Sequence, residues 1–272
     1  MNWGRVKTVL IILFLATDLF LLGIYMTSKH SSSTIPAQVI EDTVTVLANN
    51  NITISPDIIP RKSQSAPYAE AENVISDYAT FAKKLLGDNI QKIEYGYESP
   101  LGKITFSGDR FNYTTTTYLF VSANTETVFD TAAAQDIVTT NLKRLGFDLS
   151  SATVSVKEEG ISYVVTIENS VNSLPVFNSQ VVATISKNGE SSLSGIWFNK
   201  TESSGNDAEL KKVTSALIDF IPELPDGSEI VKLEIGYNIF DKESFHKSAT
   251  LIPVWHITCK DGSTYLLDAR NL

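Results

Sequence analysis

Hydrophobic positions follow two different patterns in this chain, one before about residue 28 and one after it. From Val9 to Met26 the sequence reads VLIILFLATDLFLLGIYM, 18 residues whose only charge is Asp18. A helix of that length rises ~27 Å, about the depth of a bilayer's hydrocarbon core, so the run predicts a transmembrane helix over residues 9–27. A cleavable signal peptide would be shorter and end in small residues, but this run leads into Tyr25-Met26-Thr27-Ser28-Lys29 and carries no lipobox cysteine. An uncleaved signal anchor is therefore expected. Arg5 and Lys7 precede the run and only Lys29 follows closely. The positive-inside rule then keeps residues 1–8 in the cytoplasm and sends the remainder outside. Residues 28–36, ending Ser31-Ser32-Ser33-Thr34-Ile35-Pro36, read as a polar tether.

Asp18 lies near the middle of this span. An ionisable residue there costs ~2.5 to 3.5 kcal/mol on insertion scales, against roughly −0.3 to −0.6 for each Leu, Ile, Val or Phe, so a run this apolar still inserts. Thr17 and Asp18 are the candidate partner-binding residues, as polar contacts for another protein's transmembrane helix. The alternative is a protonated Asp18 that the apolar helix tolerates.

Beyond the tether the period changes to that of a globular fold. Val39, Ile40, Val44 and Leu47 have helical spacing, closed by Asn49-Asn50-Asn51, and a polar, proline-bearing loop is expected over residues 60–67. A second helix is expected with Val74, Ile75, Tyr78, Phe81, Ala82 and Leu85 on one face and Gly87 as its C-cap. A third is expected over Asp130–Leu145, burying Ile137, Val138, Leu142 and Leu145 with Gly146 just beyond. A fourth is expected over Asp207–Ile221, with Leu210, Val213, Leu217 and Phe220 inward and Asn206 with Glu209 as a capping box. Alternating or β-branched runs predict strands at 90–97, 103–107, 116–122, 152–157, 161–168, 180–186, 193–198, 230–239, 249–258 and 263–268. Lys92-Ile93-Glu94-Tyr95-Gly96-Tyr97 matches Lys232-Leu233-Glu234-Ile235-Gly236-Tyr237 at four of six positions, which suggests an internal duplication. The fold class is α+β: one N-terminal transmembrane helix, then two helix-plus-antiparallel-sheet modules over residues 37–126 and 127–272.

Composition narrows the function. Of 272 residues 43% are hydrophobic and 19% charged, so the chain is neither disordered nor polytopic. It carries 22 Lys and Arg against 31 Asp and Glu, a net charge of −9 with no basic cluster, which argues against nucleic acid as a partner. A lone Cys259 forms no internal disulfide, and His30, His246 and His256 are too few for a zinc cage, so no metal or cofactor is expected. On the strand Val254-Trp255-His256-Ile257-Thr258-Cys259, alternation puts Trp255, Ile257 and Cys259 on one face and His256 on the other, so a Cys–His dyad is excluded. Cys259 reads as a buried residue beside Trp255.

Ser244-Phe245-His246-Lys247 matches S-x-x-K, but the S-D-N and K-T-G partners of that acylating motif are missing. There is no G-x-S-x-G, P-loop, H-E-x-x-H or EF-hand run either, and no catalytic residue is expected. Tyr95 and Tyr97 with Ile93, and Phe111 with Tyr113, would be placed on common strand faces as a conceivable glycan platform, although core packing is the commoner role of such residues. Trp197 and Trp255 read as core anchors.

Several segments resemble a known family. Met1-Asn2-Trp3-Gly4-Arg5-Val6-Lys7-Thr8, running into the apolar span, is similar to the start of the YycH/YycI regulatory proteins of Gram-positive bacteria. Asn51-Ile52-Thr53-Ile54 and Ile58-Ile59-Pro60 are similar to that family's membrane-proximal segment. Leu174-Pro175-Val176-Phe177-Asn178 and Leu193-Ser194-Gly195-Ile196-Trp197-Phe198 look like its central strands. Ile235-Gly236-Tyr237, Ile252-Pro253-Val254-Trp255-His256-Ile257, Asp261-Gly262-Ser263-Thr264-Tyr265 and Asp268-Ala269 look like its closing sheet. The resemblance implies a single-pass membrane protein without catalytic activity. Its implied partners are a YycH-like protein and a sensor histidine kinase controlling cell-wall metabolism, with the transmembrane helix contributing to the kinase contact. Asp18 departs from the polar, uncharged residue expected there. The outer modules also resemble PepSY-like domains, and the alternative function is an extracytoplasmic module that binds envelope material or modulates a peptidase.

Overall fold

The computed structural model describes residues 3–31, 34–62, 64–115, 130–186, 190–239 and 245–270. In chain order the elements are α1 (Trp3–Ser31), α2 (Ala37–Asn49), β1 (Thr53–Ile54), β2 (Ser65–Asn73), α3 (Tyr78–Leu86), β3 (Gln91–Ile93), β4 (Gly96–Ser99), β5 (Gly102–Ser107) and β6 (Arg110–Thr115). There follow α4 (Thr131–Leu145), β7 (Thr153–Glu159), β8 (Ser162–Val171), β9 (Leu174–Ser186), β10 (Ser191–Gly195), β11 (Phe198–Glu209), α5 (Val213–Asp219), β12 (Glu229–Ile239), β13 (Ser248–Cys259) and β14 (Thr264–Asp268). They form two compact units. One comprises Met1–Ser65, Leu210–Leu233 and Thr258–Ser263, the other Ala66–Glu209, Glu234–Ile257 and Thr264–Leu272.

In the first unit α2 buries Ile40, Thr43 and Leu47, spaced i, i+3, i+7 on one face, and packs against α5 and β1. Asn51, at φ 57°, turns the chain out of α2 into β1, which pairs parallel with the start of β12 through Thr53↔Glu229 and Ile54↔Ile230. The helix expected over Asp207–Ile221 is much shorter: α5 begins at Val213, with Val213 and Leu217 buried as expected. Asn206 and Glu209 lie in β11, which pairs with β2, so the expected capping box does not form. Ladder hydrogen bonds to a strand distant in sequence outweigh a local helical spacing there.

The second unit is built on a sheet of order β11-β2-β13-β12-β9-β10-β6-β5-β4-β3. β9 has β8 along one edge, and its other edge is shared by β12 near Val176 and β10 from Val181 onward. Register explains the layers. Tyr97, Ile104, Tyr113, Leu193, Ala183, Val165 and Val156 are successive cross-strand partners from β4 to β7. Ile104, Tyr113, Leu193, Ala183 and Val165 are all at most 1% exposed. Phe81 and Leu85 of α3 and Val138 and Leu142 of α4 join them in one core, with Trp197 and Phe147 closing it at 5.8 Å between ring centroids. One residue along each strand, the face reverses to Lys103, Thr114, Ser192 and Thr184, which are exposed or half-buried.

α4 forms as expected, with the Asp130 carboxylate accepting from the Ala133 amide at 2.8 Å and Gly146 left-handed at φ 103° beyond it. The preceding helix starts later than its apolar spacing predicts. Asp77 caps it by accepting from the Thr80 amide at 2.8 Å, so Val74 and Ile75 are core residues of the connection and not of the helix. Four strands were not expected: β1; β2, which begins inside the expected 60–67 loop; β6, whose Phe111 and Tyr113 point into the core; and β11, which meets the expected 193–198 run only at Phe198. The run 116–122 lies outside the described residues.

The expected strand at 90–97 is a hairpin, β3 and β4 joined by a turn at Glu94-Tyr95. Gly96 is required because a Cβ there would stand 1.9 Å from the Ile104 carbonyl oxygen of β5. Lys232–Tyr237 continues as a single strand within β12, so the two matching hexapeptides follow different backbone paths.

Candidate functional site

α1 is one helix of 29 residues. Every side chain from Leu10 to Leu22 is exposed, including Ile11 at 65%, Phe14 at 64% and Phe20 at 67%, so the helix is apolar on all sides with none of them covered. Such a surface belongs in a protein core or in lipid. Residues 10–22 are the longest apolar stretch of α1 whose side chains are described without a break, and among the described residues no helix is long and apolar enough to cross a membrane.

Asp18 and Thr17, adjacent in sequence, point about 100° apart around the axis. They also differ in chemistry. The Thr17 hydroxyl donates to the Leu13 carbonyl one turn back, so its proton is used within its own helix. Asp18 is exposed, and the residues one turn from it, Phe14, Leu15, Leu21 and Leu22, offer no donor. Toward the N-terminus the Lys7 ammonium lies 5.9 Å from the centroid of the Trp3 ring.

In the second unit, a polar cluster surrounds Asp109, in the turn between β5 and β6 and only 1% exposed. Its Oδ1 accepts from the Asn73 side-chain amide and from the His246 backbone N–H, each at 2.8 Å, and its Oδ2 is 2.9 Å from His246 Nδ1. Asn73 Oδ1 in turn accepts from the Ile75 amide at 2.9 Å. Tyr78 donates its hydroxyl to the neighbouring Gly108 carbonyl and stacks on Phe106 at 4.3 Å. Burial, then the negative charge of Asp109, holds the Tyr78 phenol above its ordinary value of 10.0. This cluster fastens the start of β13 to a turn 137 residues away, and no local motif announces it.

The other chemistry-bearing residues resolve into packing roles. Trp255, Ile257 and Cys259 are buried, while His256, on the opposite face, stacks on Phe177 at 4.4 Å with Nδ1 3.4 Å from Glu234. The alternation that separates Cys259 from His256 is therefore as the sequence requires. Phe111, Tyr113, Trp197 and Trp255 are core residues. Tyr95, by contrast, sits in the β3–β4 turn, 67% exposed, while Tyr97 packs against the core, so the two do not form a common platform. Ser244 lies outside the described residues, and His246 of the same S-x-x-K match is engaged with Asp109. An open cleft of about 640 Å³ on the polar sheet face is lined by residues including Glu98, Lys103, Thr114, Thr184 and Ser192. Among the described residues no group of three His, Cys, Asp or Glu side chains is placed to hold a metal ion.

A model of the YycI protein family matches residues 30–270. The chain belongs to the YycI family. The family match covers nearly all of the residues after the apolar run, and the opening residues Met1–Thr8, which resemble the family's start, take no part in it. No curated protein matches by sequence. Solved structures are similar in part, among them these two. One is an uncharacterized protein from Eubacterium rectale, at 13% identity and a TM-score of 0.45, covering 76% of this chain and 85% of that one. The other is YycH from Bacillus subtilis, at 10% identity and a TM-score of 0.43, covering 76% of this chain and 54% of that one.

Proposed function

We propose that this YycI-family chain is a non-catalytic, membrane-anchored regulator of a sensor histidine kinase that controls cell-wall metabolism. Residues 9–27 cross the membrane, residues 1–8 are cytoplasmic, and the two compact units lie outside, where they contact the kinase and a YycH-like protein. The family match over residues 30–270 carries this reading. The α1 surface, apolar and exposed on every side from Leu10 to Leu22, supports the anchor. To regulate, the chain must bind two kinase conformations with different affinities, since equal binding shifts no population. A helix packed against the kinase's own transmembrane helices does this if their packing differs between the states.

The test is photocrosslinking in membranes from positions Leu15, Asp18 and Leu22, with identification of the captured proteins. Capture of a sensor kinase or a YycH-like protein is expected. Replacing residues 9–27 with an unrelated apolar helix should leave export intact and abolish the effect on kinase output. Unchanged output with the replaced span would overturn the transmembrane part of the proposal. Failure of all three positions in a correctly inserted chain would move the contact to the outer units.

A further inference from the structure

Resting on the spanning reading above, we propose that α1 pairs through Asp18 with a membrane helix of another protein that presents a lysine or arginine at mid-depth. Asp18 is the only charge between Val9 and Met26, and its neighbours one turn away are Phe14, Leu15, Leu21 and Leu22. Among the described residues of α1 nothing compensates the carboxylate. Thr17, the adjacent polar residue, has its hydroxyl proton on the Leu13 carbonyl, so Asp18 alone is left with an unmet need for a donor.

Charge decides what meets that need. In hydrocarbon an ionised carboxylate is costly, and such groups pair with one another or with a cation. A second copy of this chain would bring its own Asp18 to the contact, and two carboxylates repel. A partner's hydroxyl or amide would satisfy one oxygen and leave the charge in place, whereas a basic side chain satisfies both. Because Asp18 stands at the centre of residues 9–27, the partner's cation also stands at mid-span, whichever way that helix runs. The flanking Phe and Leu side chains then pack on the partner helix around the ion pair.

The experiment uses the full chain reconstituted into phosphatidylethanolamine and phosphatidylglycerol vesicles, with synthetic leucine-rich host helices bearing Lys, Asn or Leu at their centre. Association is read by energy transfer between labels on the chain and on the host. Alkaline extraction and protease protection establish insertion independently of pairing. The Lys host should associate roughly 3- to 30-fold more tightly than the Leu host, and the preference should vanish in Asp18→Leu. An inserted chain that does not distinguish the hosts, or that takes the Asn host as well as the Lys host, overturns the pairing while the spanning reading stands. A chain that fails to insert overturns the spanning reading, and the pairing with it.

Discussion

The carboxylate of Asp109, almost completely buried in the β5–β6 turn, holds both the backbone N–H and the imidazole Nδ1 of His246, at 2.8 and 2.9 Å. The same carboxylate holds the Asn73 amide at the end of β2, so three segments distant in sequence meet on one side chain. Replacing Asp109 with Ala takes the acceptor from the His246 N–H and one of two acceptors from the Asn73 amide, which keeps the His246 carbonyl at 3.1 Å. A buried donor left without its acceptor costs about 1–3 kcal/mol, so Asp109→Ala should destabilise the protein by about that much in urea titration. Asp109→Asn, which keeps one acceptor oxygen, should lose less. Equal stability of Asp109→Ala and the parent would show that the cluster contributes nothing.

Gly236 lies beneath the Phe177 ring. A Cβ at this position would stand 2.5 Å from Phe177 Cε2 and 2.5 Å from the Pro175 carbonyl oxygen. Gly236→Ala should displace Phe177 from His256, on which it stacks at 4.4 Å, and cost about 1–3 kcal/mol as overpacking does. The ring-current shift of the His256 imidazole protons reports the displacement directly, and an unchanged shift would show that the strands absorb the methyl group.

Asp77 gives α3 a pH dependence of defined sign. The amide and then the hydroxyl of Thr80 hold its carboxyl below the ordinary value of 3.8. A depressed acid contributes stability that is present above its unfolded value and lost as the pH falls through the folded one. Asn is an equally good cap without the charge. The stability difference between the parent and Asp77→Asn should therefore be constant near neutral pH and change only below about pH 4, read as amide exchange at Thr80. A difference that moves between pH 6 and 8 would assign the effect to another group.

Cys259 is 3% exposed at the end of β13. A buried thiol among apolar neighbours is inert until the fold opens. A disulfide-forming reagent should leave the native protein unlabelled for as long as it stays folded and modify one thiol per chain in denaturant. Rapid native labelling would contradict the packed position.

α4 was legible in full, because everything that makes it lies within 17 residues: the Asp130 cap, the buried Val138 and Leu142, and Gly146 beyond. The strands β8, β9, β12 and β13 were legible from alternation and β-branched content, and so were the core roles of Trp197 and Trp255. β2 was not. Its sequence, SAPYAEAEN, has weak strand propensity and a proline, and it becomes a strand by pairing with β13, where Glu70 meets Thr250 across 180 residues. β11 extends through residues that have helical spacing, for the same reason. The two hexapeptides show the limit most plainly, since Gly96 follows a turn and sits against β5, whereas Gly236 continues a strand and sits under Phe177.

The sequence by itself determined the apolar run with its single central Asp18, the alternation that separates Cys259 from His256, and the glycines Gly87 and Gly146 that close α3 and α4. Each of these depends on the covalent order of residues within a turn or two of one another. Only the tertiary structure decided where α5 starts, that Ser65–Asn73 is a strand, and that Asn73, Asp109 and His246 form one buried cluster. Those outcomes rest on hydrogen bonds and burial between segments 36 to 180 residues apart. Their energies exceed local conformational preferences of a few tenths of a kcal/mol per residue.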